Sequence, residues 1–326
     1  MSDSPAAPPG RGLFSLEGRP AAGLYLIAWL VAGLGLVLLF IGIQSGPPLR
    51  GVLLVGSLVL ILLGLTSGAG YQILLRRGRA EPAFRGASPV LLFGVQFALV
   101  NLASLLLIGL GVSVADSAAG FFAATVVLLL GYGAVIWLFA LRPGVMSWRG
   151  LGLADRVFSR RALSDAGFGA GAMLVVALGA GVWGAVVSLL LGTRPPSVVP
   201  PVETTVDIAL VAIGAAVLVP IGEELFFRGY ALTAWLRDRG PRSALIRSTL
   251  FFAVVHVATL TSETFSEGAR QALLVVLVIA PVGLALGWLF IRRGLVAAVA
   301  GHAAYNLFGV LVLILSRFAP PIPPPA

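Results

Sequence analysis

The sequence predicts an all-α, polytopic transmembrane bundle of about nine helices, and three observations predict it. Hydrophobic residues make up 59% of the chain and charged ones 11%, which leaves too little polar surface to cover a water-soluble globule. The apolar residues come in runs of about 20, the helix length that crosses a hydrocarbon core of about 30 Å. Between the runs, arginines gather on alternate loops, as an excess of positive charge on cytoplasmic segments requires.

In chain order the expected spans are 22–43, 52–75, 89–114, 118–141, 167–191, 208–227, 244–261, 271–291 and 295–316. Polar residues interrupt the sixth and seventh. The first run lacks a short apolar stretch followed by a small-residue cleavage site, so it is expected as a retained helix. Many of the 41 Gly and a few of the 21 Pro lie inside apolar runs, where neighbouring helices can satisfy a freed backbone group. Residues 1–20 and 318–326, rich in Pro and small residues, predict disordered tails. The remainder divides into four N-terminal helices, 21–145, and a second membrane block, 146–317.

With the N-terminus in the cytoplasm, 18 of the 22 basic residues, all arginine, fall on cytoplasmic segments; only Arg50, Arg194, Arg270 and Arg317 fall opposite. A miscounted helix in the middle of the chain would scramble this split. The formal charge of +9 is scattered in short clusters between spans, which is a topological signal and excludes a nucleic-acid partner from the reading. The chain has no cysteine, so disulfide and thiolate chemistry are excluded. Glu263 and Glu267 are expected to be solvated loop acids, and the six tryptophans, Trp183 among them, interface anchors or packing.

Ionisable side chains inside the spans are few, and each costs about 2.5 to 3.5 kcal/mol at the bilayer centre, so each calls for a partner or a function. Glu223, Glu224 and Arg228 close the sixth span. Glu224 and Arg228 stand four apart in the favourable order for a helical ion pair, whereas Glu223 lies about 100° round the helix from Glu224 and lacks a local partner. The only two histidines each share a helical face with a residue four away: Phe252 with His256, and His302 with Asn306. At about 1.5 Å per residue the three motifs fall at similar depths, in the cytoplasmic half of the membrane.

These residues resemble the CAAX protease and bacteriocin-processing (CPBP, or Abi) family of intramembrane proteases. Its pattern of E-E-x-x-x-R, F-x-x-x-H and H-x-x-x-N on separate membrane helices is met by Glu223, Glu224 and Arg228, by Phe252 and His256, and by His302 and Asn306. Upstream, Ser147-Trp148-Arg149-Gly150-Leu151-Gly152-Leu153 looks like a short segment that precedes the family's core. The resemblance covers residues 147–316 and implies an endopeptidase acting on a peptide or protein, in relatives a lipidated one. It implies Glu223 as base toward a water held with His256, His302 and Asn306 as donors to the oxyanion, and Glu224 locked to Arg228. Glu223, His256 and His302 also have the ligand types of a catalytic metal site, so a divalent ion such as Zn stays open as cofactor. Two other readings remain: a polar network that only joins helices, each bond worth about 1 kcal/mol, and a non-proteolytic scaffold or transporter that uses the same buried groups. A bacterial inner membrane is the expected setting.

Overall fold

The computed structural model describes residues 15–16, 19–114, 116–153, 159–194, 199–260, 262 and 264–316. Of the tails expected at 1–20 and 318–326, residues 1–14, 17–18 and 318–326 lie outside the described residues, as does Glu263. Within the expected N-terminal tail, Ser15–Leu16 instead pairs antiparallel with Arg19–Pro20. Among the described residues nine helices follow. They are α1 (Ala22–Gln44), α2 (Leu49–Arg76), α3 (Pro89–Gly109), α4 (Ala118–Ile136, continued as a π-turn over Trp137–Leu141), α5 (Arg160–Leu191), α6 (Thr205–Arg239), α7 (Pro241–Val255), α8 (Phe265–Arg293) and α9 (Leu295–Ser316). All but α7 are long and apolar enough to cross a membrane. The chain is an integral membrane protein of all-α class.

Several helices outrun the apolar stretches because polar residues continue them. Ser159 caps α5 by accepting from the Ala162 N–H. Thr204 and Asp207 form a reciprocal capping box at the start of α6. Thr264 caps α8 by accepting from the Glu267 N–H, so Glu267 is a first-turn helical acid, bound by Thr193 and Arg270, and not the loop acid expected.

Contacts divide the chain into two units. The first holds residues 1–110 and 134–145. Lipid offers α1 and α2 no hydrophobic gain from associating, so close backbone approach through small residues must hold them. Ala28, Ala32 and Gly35 are buried along one face of α1. A Cβ on Gly64 would stand 2.5 Å from the Ala28 carbonyl oxygen, and one on Gly35 would stand 2.8 Å from the Ser57 carbonyl oxygen.

The second unit holds residues 111–133 and 146–326. Its parallel pair α5 and α9 use the same device: a Cβ on Gly169 would lie 2.1 Å from the Ala297 carbonyl oxygen. In α8, Pro281 lacks the N–H that would bond the Leu277 carbonyl, and the Trp183 indole of α5 donates to that carbonyl at 3.0 Å. Leu232, Ala244, Phe290 and Leu295 pack together at one end of the unit, and Ala118, Val202, Val211 and Val310 at the other.

The seventh span departs most from expectation. Predicted at 244–261, it is α-helical for 15 residues, about 22 Å at 1.5 Å per residue, and then tightens into a 3₁₀ turn over His256–Thr259. The chain still passes from the end that holds Ala244 to the end where Glu267 meets Thr193. A broken helix at membrane depth is tolerated where protein covers the freed backbone groups, and the break falls at His256.

Candidate active site

The 35-residue helix α6 supplies the acidic motif and is not a regular α-helix. It widens into π-turns at Gly214–Leu218 and Leu225–Leu232, leaving a short α segment, Val219–Glu224, between them. π-Turns inside α-helices recur at functional sites because they redirect side chains and loosen backbone pairing. Glu223 and Glu224 end the α segment and Arg228 lies in the second π-turn.

Glu224 and Arg228 are fully buried and joined by Arg228 Nη1 donating to Glu224 Oε1 at 2.6 Å. The same Oε1 lies 2.8 Å from His302 Nδ1 of α9. A second guanidinium nitrogen, Nη2, donates to the Gly283 carbonyl of α8 at 3.2 Å. The guanidinium also lies 4.1 Å from the centre of the Phe252 ring, over the negative face that attracts a cation. One carboxylate oxygen therefore serves a cation and an imidazole, and one arginine ties α6 to α7 and α8.

Phe252 is the shared wall. His256 packs against it at 4.6 Å between ring centres and His302 at 5.9 Å, both edge-on. The two imidazoles are thus no farther apart than those distances combined, roughly one helix diameter. At the end of α7 the His256 N–H turns to the Val254 carbonyl. The His256 ring reaches back along the helix, with Nδ1 at 2.6 Å from the Phe252 carbonyl oxygen. A carbonyl only accepts, so Nδ1 carries the proton and Nε2 is the acceptor of the neutral ring.

Glu223 stands apart. It is half-buried, and its Oε2 is buried without a hydrogen-bond partner. Glu224 Oε2 and Arg228 Nε also lack partners, but their side chains are engaged through other atoms. The turn that holds Glu223 is fitted to Tyr132 of α4, where a Cβ on Gly222 would come within 3.0 Å of the ring. Tyr132 packs on Phe226 at 5.3 Å and on Phe227 at 6.2 Å. Asn306 is placed elsewhere: its amide donates to the Ala215 carbonyl in the first π-turn at 2.8 Å.

The structure thus brings Glu224, Arg228, His302, Phe252 and His256 into one connected set, with Glu223 beside Glu224 and Asn306 one turn beyond His302. The set of Glu223, His256 and His302 considered for a metal is not assembled, because among the described residues no three His, Asp or Glu side chains converge to hold an ion. The carboxylate on His302 is Glu224. Sequence reasoning missed Tyr132 and Gly283. Nothing in the spacing marks Tyr132, whereas Pro281, two residues before Gly283, was a visible sign of altered backbone in α8.

A family model described as type II CAAX prenyl endopeptidase Rce1-like matches residues 205–308. The core of α6 to α9 is Rce1-like. The match covers about a third of the chain, takes in the whole acidic motif and both histidines, and agrees with the resemblance read from those residues. The Rce1-like core is that of a CAAX-type intramembrane endopeptidase, with a peptide or protein as substrate and the bilayer as its surroundings. No curated protein and no solved structure matches the chain. The Ser147–Leu153 segment lies outside the match yet packs on the core. Gly152, at φ 88°, would place a Cβ 2.7 Å from the Phe290 ring, and its carbonyl accepts from the Leu295 N–H.

Proposed function

We propose that the Rce1-like core hydrolyses a peptide bond with Glu223 as the general base. The supporting observation is the contrast within the acidic pair: Glu224 is committed to Arg228 and His302, whereas Glu223 retains a buried oxygen with no partner. A base must have a lone pair free for the proton it takes. Glu223 removes a proton from water, the hydroxide forms a bond to the scissile carbonyl carbon, and the carbonyl oxygen becomes the oxyanion. His256, with Nδ1 fixed by the Phe252 carbonyl, holds the water through Nε2. His302, with Nδ1 committed to Glu224, has Nε2 left to donate when it carries a proton. The Asn306 amide has a second N–H beyond the one on Ala215, and both stabilise the oxyanion. Glu223 then returns its proton to the leaving amine as the C–N bond breaks, so that water and peptide give a carboxylic acid and an amine, which exchange a proton to become carboxylate and ammonium.

The site is proposed to act from the cytoplasmic half of the membrane, with the N-terminus inside, in a bacterial inner membrane; the 18 to 4 division of arginines supports that orientation. The substrate is proposed to be a membrane-tethered peptide carrying a lipid, and the arginines to serve topology and not a nucleic acid. Glu223→Gln tests the mechanism, since it keeps the shape and removes the acceptor. With purified protein and a peptide library that includes prenylated members, cleavage is expected to fall about 10²- to 10⁴-fold while thermal stability in detergent holds. A stable Glu223→Gln protein that cleaves at the wild-type rate removes Glu223 from the mechanism.

A further inference from the structure

A cavity of about 540 Å³ opens at the end of the second unit that carries Leu295, between the start of α5 and the turn from α8 to α9. Among the described residues, Arg149, Arg161, Arg292 and Arg293 line it together with one carboxylate, Asp165. Asp165 is built in: it is buried, its Oδ1 accepts from Arg293 Nη1 at 3.0 Å, and its Oδ2 lies 4.0 Å from Arg161 Nε. Its bond to Arg293 fixes that guanidinium in the wall of the cavity. Guanidinium forks match tetrahedral oxyanions in pairs, and the first turn of α5 adds its positive end to the same wall.

The surroundings distinguish a lipid phosphate from a dissolved one. The Arg293 guanidinium lies 4.5 Å from the Phe168 ring centre, and Phe168 packs on Trp288 at 6.4 Å. Both aromatic rings are exposed, as are Leu163 and Ile291 beside them. Aromatic rings at the headgroup level and apolar side chains toward the acyl region are the arrangement of a membrane boundary, and basic pockets between membrane helices hold acidic headgroups. We propose that this cavity binds the phosphodiester of an anionic phospholipid, whose acyl chains lie along the exposed apolar faces of α5 and α8. The site is separate from the Glu223 set and does not depend on proteolysis.

The test uses full-length protein in detergent with added phosphatidylglycerol, phosphatidylcholine or inorganic phosphate, and the readouts are thermal unfolding and lipid adducts by native mass spectrometry. Phosphatidylglycerol is expected to raise the melting temperature above the value in phosphatidylcholine. Arg161→Gln with Arg292→Gln, two exposed positions, is expected to weaken phosphatidylglycerol binding roughly thirtyfold, at about a factor of five per arginine, with the melting temperature in lipid-free detergent unchanged. Lipid co-extracted with the wild-type protein is expected to be enriched in phosphatidylglycerol relative to the bulk membrane, a measurement that needs no variant. Equal effects of the two lipids, undiminished binding by the double variant, or co-extracted lipid of bulk composition would overturn the proposal. A shift by inorganic phosphate as large as that by phosphatidylglycerol at the same concentration would overturn it too and assign the cavity to free phosphate.

Discussion

Replacing Arg228 by alanine removes the cation from a pair whose side chains are both fully buried and 2.6 Å apart. The loss is larger than one hydrogen bond, because the carboxylate of Glu224 stays behind in a region that water does not reach. Breaking a buried pair from one side typically costs about 3 to 5 kcal/mol, most of it from the stranded charge. The Gly283 carbonyl also loses its donor and Phe252 its cation, while the contact of His302 Nδ1 with Glu224 Oε1 at 2.8 Å offsets part of the loss. Taking about 3 kcal/mol as the net figure, and a tenfold change per 1.4 kcal/mol, the folded population relative to unfolded should fall by about two orders of magnitude. Thermal unfolding in one detergent measures this for wild type, Arg228→Ala and the double variant Glu224→Gln/Arg228→Ala. The single variant should melt well below wild type. The double variant should recover part of the loss, because a neutral amide is cheaper to bury than an unpaired carboxylate. An Arg228→Ala protein that melts with wild type, or a double variant no better than the single, would refute the argument that charge burial dominates.

Gly169→Ala should abolish folding of the second unit, since its methyl would meet backbone of α9 that cannot step aside; yield of monodisperse protein after extraction checks it. Asn306→Ala should lower stability by only about 1 kcal/mol, the worth of one interhelical hydrogen bond, while reducing kcat by about 10²- to 10³-fold if its second N–H serves the oxyanion; melting and turnover measured on the same preparation separate the two. Reporter fusions at the N-terminus and between Arg142 and Asp165 should report the cytoplasm and a fusion at Thr193 the opposite side, and a cytoplasmic Thr193 would sink the assigned orientation.

How much was legible in the sequence follows from what each signal measures. Hydropathy located α1 to α4 within a few residues because their ends coincide with the ends of apolar runs. It stopped α6 at 227, although the helix runs to Arg239, because Arg237, Asp238 and Arg239 are helical residues that a lipid ruler discards. Neither π-turn of α6 could be read, since five-residue pairing leaves no mark on composition. The Glu224–Arg228 pair was legible from its spacing. The third partner, His302, was not, because it comes from a helix 78 residues away and spacing within one helix carries no information about its neighbours. The spacing places His256 on the face of a continuing helix, but it sits where α7 ends, and only the structure shows its ring bonded to the Phe252 carbonyl.

The Phe252 wall has a practical consequence for spectroscopy. The chain has two histidines and no cysteine, and both imidazoles lie edge-on to that one ring. Histidine-selective isotope labelling would therefore give a magnetic resonance spectrum with no background from the rest of the molecule. Each line would belong to a ring in the site and would be shifted by the circulating current of the same phenyl group, so that small tilts of Phe252 move both at once. A cysteine introduced anywhere on the surface would be the sole thiol available to a second probe, and distances from it would be measured to a site that reports its own geometry.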